Sequence, residues 1–234
     1  MRKWIGAVKM KIWKKVVLTI IITLVVAVLG VGIWQYENIM VLVKTATTSS
    51  ENIAKEIDNS KKTFDEKVRQ QYPSIISDLT AEEEKKLMKG ELSVEEAVSI
   101  LTQKYKEKPK QVVANASRAE IDKLVGEKAI ELYSLKAYYL GQLGQLEATV
   151  KSDYLSLPKE KKNLIGKQEL VTKYMGTALG LLNQCDARVE EMLAELKTDI
   201  EKLNGDTSII ETIREAYKNE KNLKKAYYIK LLEE

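Results

Sequence analysis

The chain has 234 residues, a net charge of +4 and no histidine, and it contains a single cysteine. Without histidine this chain offers no Ser-His-Asp or Cys-His mechanism and no histidine-containing metal site, and one cysteine excludes a thiolate zinc cluster. Six of the 38 basic residues lie in the first 15 positions, which contain no acid. The remaining 32 basic and 34 acidic residues give a net charge of −2, so nucleic acid is not an expected partner.

Residues 16–36 are predicted to form a transmembrane signal anchor. From Val16 to Trp34 there are 19 residues without a charge. A helix of that length is roughly 28 Å long, close to the thickness of the hydrocarbon core of a bilayer. Trp13 and Tyr36 flank the run, where aromatic rings favour the headgroup region. The alternative is a cleaved signal peptide, but its apolar region is usually roughly 7–15 residues long and a small-residue cleavage site follows it.

The charges on either side of this span predict its orientation. Residues 1–15 contain six Lys or Arg, whereas the stretch after Tyr36 has only Lys44 and Lys55 before residue 57. The positive-inside rule therefore places residues 1–15 in the cytoplasm as a basic tail, and the rest of the chain outside the plasma membrane in a single-pass topology. Met10 is an alternative start, which leaves open whether the native chain includes residues 1–9.

Small residues recur along one face of the predicted span, and they are Thr19, Thr23, Ala27 and Gly30. Small side chains at this spacing allow two helices to approach closely in lipid. Small residues are common in such spans, so the sequence favours a plain anchor. A transmembrane packing surface on this face is the alternative.

The exported part is predicted to be all-α. Its composition favours helix, and Ser/Thr-x-x-Glu capping boxes predict four helix starts, at Thr80–Glu83, Ser93–Glu96, Ser117–Glu120 and Ser208–Glu211. Residues 37–116 are expected to form a membrane-proximal helical stalk that includes a short helix hairpin at 79–105. Residues 117–234 are expected to form an antiparallel three-helix bundle. The three bundle helices are predicted at about 117–156, 160–204 and 208–232.

The first two bundle helices are predicted to pair in an antiparallel register. Their apolar stripes match when the turn lies within residues 157–163, where Pro158 independently predicts a turn. In this register Ile121 faces Ile200. Cys185 falls on the same stripe, so we predict a small buried core residue, with an intermolecular disulfide as the alternative.

A second stripe, made of small residues, lies roughly opposite the apolar stripe on both long helices. It contains Ser134, Ala137, Gly141, Gly144 and Ala148 on the first helix, and Gly176, Gly180, Ala187 and Ala194 on the second. Each glycine costs about 0.8–1 kcal/mol relative to alanine in a helix interior. Four glycines at one level therefore indicate close approach of another helix, from the stalk or from a second molecule. A solvent-facing surface that tolerates glycine is the alternative.

The sequence favours a protein of the bacterial cell envelope that is an interaction or scaffold module and not an enzyme. Its expected partners are the lipid bilayer and either another protein or a second copy, bound through helix packing. No catalytic, cofactor-binding or metal-binding residue is predicted, and acidic clusters such as Glu82–Glu84 are expected to be solvated helix faces or helix starts. Two alternatives stay open: a membrane-tethered, carboxylate-dependent enzyme acting on cell-wall polymers, and a single-span sensor or regulator of a membrane complex.

Overall fold

The computed structural model describes residues 36–108, 116–162 and 164–233. Regular structure in these ranges is entirely helical, as predicted, and they contain no strand. The helices described are α1 (Tyr36–Thr47), α2 (Ser50–Gln71), α3 (Ala81–Met88), α4 (Val94–Lys106), α5 (Ala116–Ser156), α6 (Leu164–Lys202) and α7 (Ser208–Glu233). A short 3₁₀ helix, Lys159–Lys161, lies between α5 and α6.

The predicted membrane segment lies almost entirely outside the described residues. This applies to the basic tail at 1–15 and to the span at 16–36, of which only Tyr36 is described. The candidate transmembrane packing face is also outside, at Thr19, Thr23, Ala27 and Gly30. In the part of the chain that the structure describes, no helix is both long enough and apolar enough to cross a bilayer.

Local sequence accounts for the hairpin formed by α3 and α4. Thr80 and Ser93 cap the two helices, and each hydroxyl accepts a hydrogen bond from the backbone N–H three residues later. Glu83 and Glu96 complete the two boxes, because each carboxylate accepts from the backbone N–H of its cap residue. Gly90 follows α3 with a φ of +72°, a conformation that glycine adopts without strain, so the chain can reverse there. Both predicted boxes are confirmed.

The capping box predicted at Ser208 is wrong. Ser208 is already the first residue of α7, and its N–H and hydroxyl both donate to the carboxylate of Asp206, at 2.9 and 2.7 Å. Glu211 accepts a hydrogen bond from Arg214 at 2.5 Å. The hydrogen-bond acceptor at the start of α7 is therefore the carboxylate of Asp206, two residues before the predicted cap Ser208. Ser117 similarly lies within α5, which begins at Ala116 in the described structure.

The described helices form two units. One contains the described residues up to Ile57 together with those from Asn219 onward, and the other contains Asp58–Lys218. Helices α2 and α7 each contribute residues to both units. These units divide the chain differently from the predicted stalk and bundle, because the α3–α4 hairpin packs on the long helix α5 within the larger unit.

The smaller unit has its own apolar core. The buried residues of this core come from α1, α2 and α7, and they are Val41, Ile53, Ile57, Leu223 and Ala226. Thr45 is 2% exposed, and its hydroxyl donates to the carbonyl oxygen of Val41 at 2.9 Å. The side chain of Lys44 forms an ion pair with Glu56 at the edge of this core. The one buried hydroxyl of this core is thus satisfied within its own helix.

The larger unit is organised around α5, which buries two of its faces. One face packs against α6 and α7 in the main core, whose most buried members include Val125, Leu193, Leu196, Ile200 and Ile209. Ile121 and Ile200, predicted to face each other across the antiparallel pair, both belong to this core. A different face packs against the α3–α4 hairpin in a second core that contains Leu79, Leu87, Ala97, Leu101, Ala137 and Leu140. Burial on two faces explains why α5 has no single apolar side.

The carboxylate of Glu83 in the α3 capping box predicts that the stability of the protein depends on pH. Burial opposes ionisation of Glu83, but hydrogen bonds from the Thr80 N–H and from Lys104 outweigh it, so the pKa of Glu83 lies below its ordinary value of 4.5. A carboxylate whose pKa is lowered by folding stabilises the fold above its unfolded-state pKa. This contribution is lost as the pH falls through the lowered folded-state value.

We therefore expect Glu83→Ala to destabilise the protein by about 0.5–1 kcal/mol at pH 7 and by less at pH 3. Thermal unfolding followed by circular dichroism at the two pH values measures the difference. The control is Glu82→Ala, which removes an exposed carboxylate from the same turn. An equal loss at both pH values would show that ionisation of Glu83 is not the stabilising element.

Candidate functional site

Three of the predicted small residues of α5 lie against the α3–α4 hairpin of the same chain. Ala137, Gly141 and Gly144 are buried. A Cβ atom at position 141 would lie 2.9 Å from Cγ2 of Val94, and a Cβ at position 144 would overlap the carbonyl oxygen of Met88. The helix that approaches these two glycines therefore comes from the chain's own hairpin, one of the two sources considered for the close contact.

The other predicted small residues have more open surroundings. On α5, Ser134 is half-buried and Ala148 is exposed. On α6, no described atom lies within 4 Å of a Cβ built on Gly176 or Gly180, apart from the neighbouring residues and turns of the same helix. Ala187 and Ala194 are exposed as well. The glycines predicted to share one level thus divide into a covered pair on α5 and an uncovered pair on α6.

The uncovered glycines belong to a larger surface, which we call the open α6 face. At helical spacing it contains Thr172, Met175, Gly176, Leu179, Gly180 and Asn183. Met175 and Leu179 are each 51% exposed, although both are large apolar residues. The stretch from Tyr174 to Cys185 contains no charged residue, in a chain that is 31% charged. This face therefore combines exposed apolar side chains, glycine and an absence of charge.

Sequence reasoning identified the glycines of the open α6 face but not Met175 and Leu179. The uncharged stretch from Tyr174 to Cys185 was the available signal, since a helix that faces water on one side usually has charged residues there. Only the folded structure separates the apolar residues of this stretch that are covered from those that are not.

A half-buried ion-pair network joins three helices of the larger unit. The carboxylate of Glu84 in α3 lies 2.5 Å from Nζ of Lys61 in α2 and 2.7 Å from Nζ of Lys136 in α5. Lys136 also pairs with Asp78, which precedes α3. The four side chains are between 10% and 19% exposed. Because the charges are paired and largely removed from water, this network links the hairpin to α2 and α5.

The Glu82–Glu84 cluster lies in the first turn of α3, which agrees with the predicted helix start, but Glu84 is not on a solvated face. Glu82 is exposed, whereas Glu84 is 9% exposed and held by two lysines. The three acids lie in consecutive positions of one helical turn, so they point in different directions and only one faces α5. Sequence alone offered no sign of this, because Lys61 and Lys136 are distant from Glu84 along the chain.

A second set of polar contacts, next to the ion-pair network, joins the end of α2 to the segment before α3. Burial raises the pKa of Asp65, although Arg69, whose guanidinium donates to this carboxylate at 2.9 Å, opposes the shift. Arg69 also donates to the hydroxyl of Ser77. Burial lowers the pKa of Lys108, whose ammonium donates to the carbonyl oxygen of Ile75. These contacts fix the irregular segment between α2 and α3 to the end of α2 and to Lys108, which lies two residues beyond the end of α4.

Cys185 is half-buried beside the main core, so its predicted position on the apolar stripe agrees with the structure. The hydroxyl of Tyr217 lies 3.5 Å from Sγ of Cys185 and donates to the carboxylate of Asp186 at 2.5 Å. Burial and these two contacts raise the pKa of the Tyr217 hydroxyl. The group connects α7 to α6 through a hydrogen bond to a charged acceptor, which is stronger than a neutral one.

Comparison with known proteins identifies no relative. No protein-family model matches the chain, and no curated protein and no solved structure matches it either. Function is therefore argued from the geometry of the described residues.

The two glycine environments predict opposite effects of one substitution. Gly144→Ala should destabilise the protein by about 2–3 kcal/mol, because the added methyl group meets the backbone of Met88, which cannot move without displacing the hairpin. In the isolated monomer, Gly176→Ala should stabilise the fold by up to about 1 kcal/mol through helix propensity, because no described atom of the same chain meets the added methyl group. Urea unfolding followed by circular dichroism gives both values. A stabilising Gly144→Ala would contradict the backbone contact.

The ion-pair network predicts a large effect for one acid of the hairpin and a small effect for another. Glu84→Gln should cost about 2–3 kcal/mol of unfolding free energy, because Lys61 and Lys136 lose a shared carboxylate while half-buried. Glu91→Gln, at an exposed carboxylate 3.9 Å from Lys89, should change stability by less than about 0.5 kcal/mol. Equal effects in the same urea titration would show that the network contributes no more than a surface pair.

Proposed function

We propose that the chain is a single-pass, membrane-anchored helical protein of the bacterial cell envelope that acts as an interaction module outside the plasma membrane. The apolar run within residues 16–36 supports the anchor, and the basic residues at 1–15 support a cytoplasmic N-terminus. Residues 37–116 would then contain the membrane-proximal segment, with its α3–α4 hairpin packed on α5, and residues 117–234 the antiparallel helices. The module works by presenting a fixed helical surface to a partner.

The observation on which this proposal depends is the open α6 face. Contiguous exposed apolar surface often marks a protein–protein interaction site, and the exposed Met175 and Leu179 lie one helical turn apart on α6. The cores of protein–protein interfaces are also depleted of charged residues, as the stretch from Tyr174 to Cys185 is. Met175 and Leu179 provide the projecting side chains of this face, and Gly176 and Gly180 provide the depressions between them.

A second copy of the chain is the partner that best fits this pattern. If two α6 helices pack antiparallel about a two-fold axis level with the Thr177–Ala178 bond, Met175 of one copy faces Gly180 of the other. Leu179 faces Gly176 in the same way, so each large side chain meets a glycine. Two-fold interfaces require such self-complementary surfaces, and glycine allows the helices to approach closely.

We expect cross-linking to detect this register in membranes from cells that express the full chain. In a Cys185→Ser background, Thr172→Cys and Asn183→Cys should cross-link to each other when the two variants are co-expressed. The reagent is a thiol cross-linker about as long as the 8–10 Å between packed helix axes. Neither variant should cross-link to itself, because like positions are displaced by about 16 Å along the helix. An alkaline wash of the same membranes tests the anchor, since an integral protein stays in the pellet.

Three results would contradict the proposal in different parts. Cross-linking of each variant to itself would indicate a parallel arrangement. No cross-linked dimer in any sample would show that the open α6 face does not bind a second copy. Release of the full chain by the alkaline wash would contradict the membrane anchor but would not bear on the proposed dimer. The control variant Leu179→Asp should abolish the mixed dimer, because it places a charge against glycine in a desolvated contact.

A further inference from the structure

The closed end of the α5–α6 hairpin has a surface that the proposed module does not use, and we call it the basic tip. It consists of Leu155 and the exposed lysines Lys151, Lys159, Lys161 and Lys162. Leu155 is 61% exposed at the end of α5, the highest value among the exposed large apolar residues of the described chain. The 3₁₀ helix Lys159–Lys161, which begins four residues after Leu155, contains the next lysines along the chain.

The charge of the basic tip differs in sign from that of the exported part as a whole. Between Lys151 and Lys162 there are four lysines and two acids, Asp153 and Glu160, whereas the residues after position 15 have a net charge of −2. Asp153 is already engaged, because it accepts hydrogen bonds from Lys173 at 2.7 Å and from the hydroxyl of Tyr174 at 2.6 Å. The positive charge of the tip is therefore not offset by this acid.

The backbone of the basic tip is held in place beside Leu155. The ammonium of Lys162 donates to the carbonyl oxygen of Leu155 at 2.6 Å and so closes the turn around the end of α5. One exposed apolar side chain is thus fixed among lysines whose alkyl stems can lie along an apolar surface while their ammonium groups reach anions. A soluble polyanion has no group that would cover Leu155, whereas a bilayer has both anionic headgroups and acyl chains.

We propose that the basic tip docks on the surface of an anionic lipid bilayer, with the lysines at the phosphate groups and Leu155 at the boundary of the acyl chains. Charge complementarity selects the surface, because each lysine near an anionic bilayer strengthens partitioning about fivefold. Four lysines and one leucine bind weakly by themselves. In a chain that is already anchored, a weak second contact is sufficient, because the tether raises the effective concentration of the tip at the membrane.

The test uses the full chain reconstituted into vesicles, with a polarity-sensitive dye on Ser156→Cys in a Cys185→Ser background. Position 156 is exposed and adjacent to Leu155. The dye emission should shift to the blue in vesicles in which roughly a quarter of the lipid is phosphatidylglycerol, and not in pure phosphatidylcholine. Replacing Lys151, Lys159 and Lys161 by glutamine, which leaves the hydrogen bond from Lys162 to the Leu155 carbonyl intact, should lower partitioning of the tip on the order of 100-fold and remove the shift.

The matched control replaces three exposed lysines at the C-terminal end of α3 and directly after it, Lys85, Lys86 and Lys89, by glutamine, and the blue shift should persist. A shift of equal size in pure phosphatidylcholine, or equal loss of the shift in both triple variants, would overturn the proposal. So would a shift produced by soluble polyphosphate in phosphatidylcholine vesicles, which would identify a polyanion site instead. Failure of the anchor appears separately, as release of the chain from vesicles of either composition in an alkaline wash, and the dye signals are compared only between samples in which the chain stays with the vesicles.

Discussion

The fold of the larger unit depends on a backbone contact between the end of α3 and the middle of α5. The carbonyl of Met88 lies where a side chain at position 144 would begin, so α5 requires glycine there. With the end of α3 fixed at this point, Leu87 enters the second core. Glu84, one turn earlier in α3, comes beside Lys136 of α5. The ion-pair network and the second core are therefore consequences of one close approach.

Polar groups elsewhere in the larger unit also hold elements together. Asp122 of α5 is 6% exposed, and its carboxylate accepts hydrogen bonds from the N–H and the hydroxyl of Ser74 in the segment before α3. Gly126, one turn later, has the same serine 2.8 Å from where its Cβ would lie. The segment that connects α2 to α3 is thus fixed on α5 by a charge-assisted hydrogen bond and by steric fit. The buried carboxylate of Asp122 and the glycine at position 126 therefore both hold the connecting segment against α5.

The contrast between α5 and α6 is the basis of the functional proposal. Both helices have glycines at comparable levels of the α5–α6 pair. The glycines of α5 contact the α3–α4 hairpin, whereas those of α6 are uncovered beside Met175 and Leu179. Each interior glycine destabilises a helix by about 0.8–1 kcal/mol relative to alanine, so the presence of an uncovered pair in α6 requires another explanation. Contact with a second copy is such a reason, and the uncharged surroundings of the pair are compatible with it.

The sequence by itself determined the all-helical fold, the positions of the α3–α4 hairpin and of the long antiparallel helices, and the two capping boxes. These features depend on residues within one or two helical turns, or on a periodic pattern that repeats along a whole helix. Only the tertiary structure decided that Glu84 is buried, that Gly144 meets a carbonyl group, and that Met175 and Leu179 are uncovered. Each of these depends on which distant segment covers a given face. Several faces of α5 and α6 contain small or apolar residues, and the amino-acid pattern of a helix does not specify which of its faces will be covered.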